Sequence, residues 1–411
     1  MRNHSKTEFG NLQNVKVLSA GSVIAGPFVC ALFAEQGADV IQIESALAPD
    51  VLRGFGDNWS MEHRNERDIA LNITSPEGRE ILSRLVKWCD ILVESSKGGT
   101  WENWGLTDEV LWEMNPRLVI VHVSSFGQYG DPGYVSRAGF DVTGQAFSGY
   151  MLHNGMPDPA PPLVLKPYTC DYVTGLTAAW AALAALIRTR ETGVGESIDI
   201  AQFEAMARIQ AEVSLDGFNK GKEAVRMGNA NPVVATDGTY RCKDGNWVVV
   251  SMSGFAILKR GLPIIGLDND PDFAEVPQLV LRSNAVQAEK YLTALRTYCA
   301  DHTADEVDRA LNDAQVPCSK VMTYRMMLED PHYQARETVV AWDDPKMGAV
   351  KGIGTVPKFK KNPGRIFRGS PTYGMDNETV LSEFGYSEKE IEALYEKKVI
   401  NKKVHPVYAY I

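Results

Sequence analysis

Cysteine is sparse and unorganised: the six residues Cys30, Cys89, Cys170, Cys242, Cys299 and Cys318 are scattered along 411 positions with no CxxC pair. That excludes a disulfide scaffold and a zinc ribbon, and it suits reduced thiols in a cytoplasmic protein. The seven histidines form no HExxH or other ligand spacing, so no metal site is expected. No GxSxG is present, and no GxGxxG follows a strand. Residues 21–26 (GSVIAG) carry the two-glycine spacing of a P-loop but continue into Pro27-Phe28, where Lys and Ser/Thr are required. Nucleotide triphosphate hydrolysis and ordinary NAD binding therefore lose support. Positive charge is also short: 42 Lys and Arg against 52 Asp and Glu leave a net charge of -10. Broad binding of nucleic acid or anionic membrane is disfavoured, and any anionic ligand must meet a local basic patch. Residues 1–10 are polar and lack the apolar core of a signal peptide. The most apolar stretch, residues 173–187, holds Thr and Gly and falls short of the ~20 residues that span a bilayer, so it is read as a buried core helix.

What is present is the material of a folded protein. Hydrophobic residues make up 44% of the chain and charged residues 23%, enough apolar surface to build more than one core. The first 125 residues alternate two periods. Residues 15–20 and 39–44 read as strands around a helix from Gly26 to Gly37, with Pro27 in its first turn. Residues 68–73, 90–94 and 118–125 read as further strands, the last (LVIVHVSS) apolar enough to be buried on both faces. Ser75-Pro76 caps an intervening helix, and residues 107–114 form a short one. This is the pattern of an α/β, doubly wound parallel sheet. From 217 to 237 the rhythm breaks into Gly, Asn, Lys and Pro, a linker. Beyond it, Tyr240 and residues 247–250 flank a hairpin turn, and residues 303–306 (TADE) form a capping box, as in a smaller α+β domain. A Gly/Pro-rich extended run covers 351–373, and residues 387–390 (SEKE) open a last helix. The expected division is 1–222, 223–334 and 335–411.

Three groups of residues could carry chemistry. A glycine turn between strand and helix at 21–26 lets a ligand approach the backbone at a helix N-terminus, or is merely a tight turn. Asp171, just before the apolar helix, reads as an N-cap. The same carboxylate, ionised at its usual pKa of about 4, could instead attack an acyl carbon to give a mixed anhydride. Arg64, Arg67, Lys97 and Arg137 all fall near strand ends, where wound sheets bind ligands. His122, inside an apolar strand, reads as a satisfied core residue rather than a base.

The segments IAGPF (24–28), GADVI (37–41), GLTDEVLW (105–112), SFGQYG (125–130), QAFSGY (145–150), PYTCDYVTGLTA (167–178), GESIDIA (195–201) and PKFKKNPG (357–364) run nearly end to end. On them the chain resembles the class III CoA-transferases, the family of formyl-CoA transferase, and most closely their carnitine branch. The resemblance implies a Rossmann-like large domain made from both chain ends, a small domain between them, and two ring-shaped subunits interlocked as a homodimer. The run from Lys351 would then close the ring.

It further implies that Asp171 is the nucleophile, esterified first by the acyl group and then by CoA, with no tightly bound cofactor. CoA contacts carry over to Val23 and Ala25 in the first turn, Leu71 and Asn72 beside the adenine, Ser95 with Lys97, and Arg137. Where the carnitine branch has phosphate-binding arginines this chain reads Asn103-Trp104, so Arg64 or Arg67 takes over that charge or CoA binds more weakly. A trimethylammonium substrate such as carnitine or crotonobetaine would meet Tyr129, Phe147, Tyr150 and Tyr172 through cation-π contact. An aryl, bile-acid or short dicarboxylic acid is the alternative. Related racemases carry their proton-abstracting histidine where this chain has Phe140, which argues against that activity. A non-catalytic acyl-CoA-binding subunit is the remaining reading.

Overall fold

Val17 and Leu18 are adjacent, fully buried, and point into different cores, which is what a strand covered on both faces requires. The same alternation recurs at Ile91 and Leu92 and at Val119 and Ile120. In the computed structural model, which describes residues 8–231, 233–274 and 281–404, these positions lie on a six-stranded parallel sheet. Its strands are β1 (Lys16–Ala20), β2 (Asp39–Glu44), β3 (Arg67–Ala70), β4 (Ile91–Glu94), β5 (Val119–Ser124) and β6 (Glu196–Ala201). The order β3-β2-β1-β4-β5-β6 reverses direction between β1 and β4. At such a switch point neighbouring loops diverge and leave a crevice at the carboxyl ends of the strands.

One face is covered by the helix Pro76–Trp88, whose Ser75 caps it through Gly78 N–H, together with Val380, Leu381, Ile391 and Leu394 from near the C-terminus. The other is covered by the helices Ala25–Glu35 and Thr169–Thr192. These two helices approach closely at Gly175, where a Cβ would stand 2.8 Å from Phe28 and 3.0 Å from the Ala25 carbonyl oxygen. Any side chain there would push the helices apart.

The helix Thr169–Thr192 departs from expectation. Its 24 residues make it long and apolar enough, by length and composition, to cross a membrane. Ala178, Ala182, Ala185 and Leu186 pack on the sheet, but Leu176, Trp180 and Ile187 are 54%, 65% and 63% exposed. It is thus a core helix on one side only.

The described residues up to 151, with 164–223 and those from 335 onward, form one compact unit; 152–163 and 224–334 form a second. The second contains the antiparallel strands β7 (Asp237–Arg241), β8 (Trp247–Ser251) and β9 (Cys318–Lys320), of which β7 and β8 are the expected hairpin. Thr303 and Ser387 each close the capping box read from sequence. The break expected from 217 starts later, because the helix Ala211–Lys220 runs through Gly217. A hairpin of β10 (Val339–Asp344) and β11 (Gly348–Ile353) had no sequence signal strong enough to read, and its second strand takes up residues 351–353 of the expected extended run. Residues 1–7 of the polar N-terminal segment and Pro232 of the linker lie outside the described residues.

Candidate active site

The helix Thr169–Thr192 begins without a cap of its own: Tyr168 precedes it in a left-handed conformation (φ 39°) and offers no side-chain acceptor. Asp141, at the start of the helix Asp141–Phe147, supplies the cap from outside. Its Oδ1 accepts Cys170 N–H at 2.7 Å and Asp171 N–H at 3.2 Å. The N-cap reading of Asp171 is therefore corrected, because Asp171 sits inside the first helical turn and leaves its carboxylate unspent on capping. That carboxylate, buried at 5% exposure, accepts a 2.5 Å hydrogen bond at Oδ1 from Gln202 Nε2. Ser125 Oγ donates to Gln202 Oε1 at 2.7 Å and fixes which way the amide faces. Gln145 is held by both backbone groups of Leu165 and donates to Asp141 Oδ2 at 2.7 Å. Gly144 lets these pieces meet: a Cβ there would come within 2.6 Å of Cys170 Sγ and 3.2 Å of Gln202 Cβ.

Burial, reinforced by the nearby charge of Asp141, pushes the Asp171 carboxyl up to about 7, and Gln202 pulls back against that rise. Here the sequence expectation of an ordinary, fully ionised carboxylate fails. Asp141 lies in the same space, which holds little water, and its charge disfavours ionisation of Asp171. The adjacent Cys170 thiol is pushed up to about 12, chiefly by burial, which leaves Asp171 the better nucleophile at neutral pH.

A cleft of about 410 Å³ opens at the switch point, between the ends of β1, β2 and β4. Gly21, Ser22, Ser45, Leu71, Asn72, Ser96, Trp101 and Trp104 line it. Leu71 and Asn72 are thus brought together with the first glycine turn. Val23 follows in a left-handed conformation (φ 67°) that a β-branched residue rarely adopts. Its N–H donates to Asp50 Oδ2 at 2.9 Å, and Asp50 is buried. Sequence reasoning missed Asp50, which carries no motif signal and acts only through this loop geometry. Ala25 is buried in the first helical turn, and Ser95 Oγ accepts Ser22 N–H at 2.8 Å, tying that turn to the end of β4. Lys97 is exposed, and Arg137, also exposed, lies 3.9 Å over the Tyr134 ring.

The arginines proposed to replace the missing phosphate ligands do not face a ligand. Arg64 is 1% exposed and spends its guanidinium on Glu35 and the Ile353 carbonyl oxygen. Arg67 is paired with Asp39 and Glu383. Both are structural because the sheet edge buries them among carboxylates. Of the four aromatic candidates, Tyr129 is 82% exposed, Tyr150 is half-buried, and Phe147 packs on Phe126, Tyr134 and Phe203. Tyr172 is turned inward. Its ring meets Phe28 edge-on and its hydroxyl donates to Glu62, which commits it to packing. His122 bridges Glu94 (2.8 Å) and Asp108 (2.9 Å), a satisfied core residue as expected. Among the described residues, no group of three or more potential ligands is placed to hold a metal ion.

The sequence matches CoA-transferase family III over residues 12–377. It is 46% identical over 390 residues to the bile acid CoA-transferase BaiK of Clostridium scindens, covering 94% of this chain and 88% of that one. Among solved structures, a CAIB/BAIF family protein from Brucella suis superimposes with a TM-score of 0.78 at 28% identity, over 92% of this chain and all of that one. Rv3272 from M. tuberculosis shares the fold at a TM-score of 0.77 and 22% identity, over 91% of this chain and 99% of that one.

Proposed function

The chain belongs to CoA-transferase family III and is an enzyme that takes acyl-CoA as substrate, and from that premise we propose that Asp171 carries CoA between a thioester and a free acid. The observation behind this reading is the carboxylate itself. It lies at a helix N-terminus it does not cap, and one of its oxygens is engaged by Gln202. Among the described residues the other, Oδ2, makes no hydrogen bond and is not among the fully enclosed polar atoms. Oδ2 attacks the thioester carbon, the carbon–sulfur bond breaks, and CoA leaves as thiolate with the bonding pair. The thiolate then attacks Asp171 Cγ and expels the first acid with its carboxylate oxygen. A second carboxylate collects CoA by the reverse steps. No net proton is consumed, so a nucleophile without an adjacent base suffices.

The cleft at the switch point would take the nucleotide end of CoA, with Leu71 and Asn72 on its wall and the exposed Lys97 next in the chain to its lining residue Ser96. The acid pair is bile-acid-like in this reading. The named relative and the exposed aromatic residues Tyr129, Phe140 and Phe147 support a large apolar acid. The carnitine pair is the competing choice, since the same rings could hold a quaternary ammonium group. The exposed stripe Leu176, Trp180 and Ile187 supports the homodimer.

Incubation with cholyl-CoA followed by hydroxylamine or borohydride should modify Asp171, and a panel of acceptors should rank cholate and deoxycholate above carnitine and γ-butyrobetaine. Transfer by an Asp171→Ala variant would remove the proposal.

A further inference from the structure

Two of the three side chains around Asp171 plainly serve the local structure. Asp141 caps the helix, and Gln145 holds Asp141. Gln202 does neither. Its side chain makes two hydrogen bonds, accepting from Ser125 at Oε1 and donating to Asp171 Oδ1 through Nε2. It is buried, at the first position of the helix Gln202–Arg208, and directly follows β6. An amide anchored on one side by a hydroxyl presents its N–H to one chosen oxygen and withholds it from the other.

We infer that Gln202 is the oxyanion donor for attack at Asp171 Cγ, and that its contact assigns Oδ1 the role of carbonyl oxygen and Oδ2 that of nucleophile. The inference rests on the covalent reading above and adds a division of labour within it. In the first step Oδ2 forms the anhydride, and negative charge gathers on the acyl oxygen, remote from Gln202. In the second, the CoA thiolate attacks Cγ. The C=O electrons move onto Oδ1, where Gln202 Nε2 already donates, and collapse breaks the Cγ–Oδ2 bond and releases the acid. The same oxygen takes the charge again when the acceptor carboxylate displaces CoA. Gln202 thus serves the two events centred on Cγ and not the two centred on the acyl carbon. Its preset geometry is the feature such a donor needs, because it does not have to reorganise when the charge appears.

The test is rapid-quench mass spectrometry of the intact protein mixed with cholyl-CoA without acceptor. Wild-type protein should pass to a CoA adduct. Gln202→Leu should stop at a cholyl adduct, with conversion to the CoA adduct slowed roughly 100- to 1000-fold while cholyl transfer onto Asp171 keeps its rate. A merely structural side chain would slow both steps together. Ser125→Ala leaves the amide in place without its anchor and should show the same accumulation to a smaller extent, which keeps the idea testable if the first variant folds poorly. Conversion of the Gln202→Leu cholyl adduct at the wild-type rate, or equal slowing of both steps, overturns the role of Gln202 and leaves Asp171 intact. Absence of either adduct on wild-type protein overturns the covalent reading and this inference with it.

Discussion

Asp141 and Asp171 share one helix end: Asp141 Oδ1 accepts the Asp171 amide proton at 3.2 Å while the Asp171 carboxyl lies in the same water-poor space. The group that organises the nucleophile is therefore also a group that resists its ionisation. Stability and reactivity are set against each other at one position.

The free enzyme should gain kcat/KM as pH rises through about 7, where Asp171 ionises, and then level off. Asp141→Asn removes the opposing charge and should move that limb to lower pH. It also sets an NH2 group against Gln145 Nε2, at a stability cost of about 1–3 kcal/mol. A pH profile with no limb between 5 and 8 would contradict this.

Folded Asp171 binds its proton more tightly than the unfolded chain does, so its contribution to stability is largest below pH ~4 and is lost as pH climbs through about 7. Asp171→Asn should consequently abolish transfer and stabilise the protein at pH 8 by up to ~4 kcal/mol, read by denaturant unfolding.

His122 has the opposite sign. Burial opposes its charge, but Asp108 and Glu94 override burial and hold the imidazole at about 9. Its stabilisation is complete below pH ~6.5 and fades as pH rises through about 9. His122→Ala should cost ~3–5 kcal/mol at pH 7 because it strands buried Glu94, and this should appear as a lowered unfolding midpoint.

Arg64→Ala separates a structural arginine from a phosphate ligand. It strands the buried Glu35 and should destabilise by ~3–5 kcal/mol. Any protein that remains folded should bind CoA with an unchanged Kd in calorimetry, whereas Lys97→Ala should weaken CoA binding in a salt-dependent way.

Trp180→Glu tests the exposed stripe. Sedimentation should show wild-type dimers and a variant shifted towards monomer; a variant that sediments as the wild type does would leave the stripe unexplained.

Sequence reading reached the parallel sheet because strands covered on both faces leave near-continuous apolar runs, as in LVIVHVSS. It reached Ser75, Thr303 and Ser387 because capping is local chemistry. It failed at Arg64 and Arg67, where the direction of a side chain depends on elements 289 and 316 residues away, at Ile353 and Glu383. The site was half legible. Asp171 stands in a motif and Ser125 opens another, SFGQYG, but Ser125, like Gln202 and Asp50, is an ordinary residue type whose use appears only when β5, β6 and the loop after β2 come together. The rise in the Asp171 pKa was invisible for the same reason, since Asp141 lies 30 positions upstream.

Esterification changes residue 171 from an anion into a neutral group, and the repulsion between it and residue 141 ends at that moment. The unloaded enzyme is then the least comfortable station of its own cycle, and the loaded forms are the more relaxed. Regenerating the bare carboxylate should be the uphill leg, so a chain caught mid-turnover should melt at a higher temperature than one at rest.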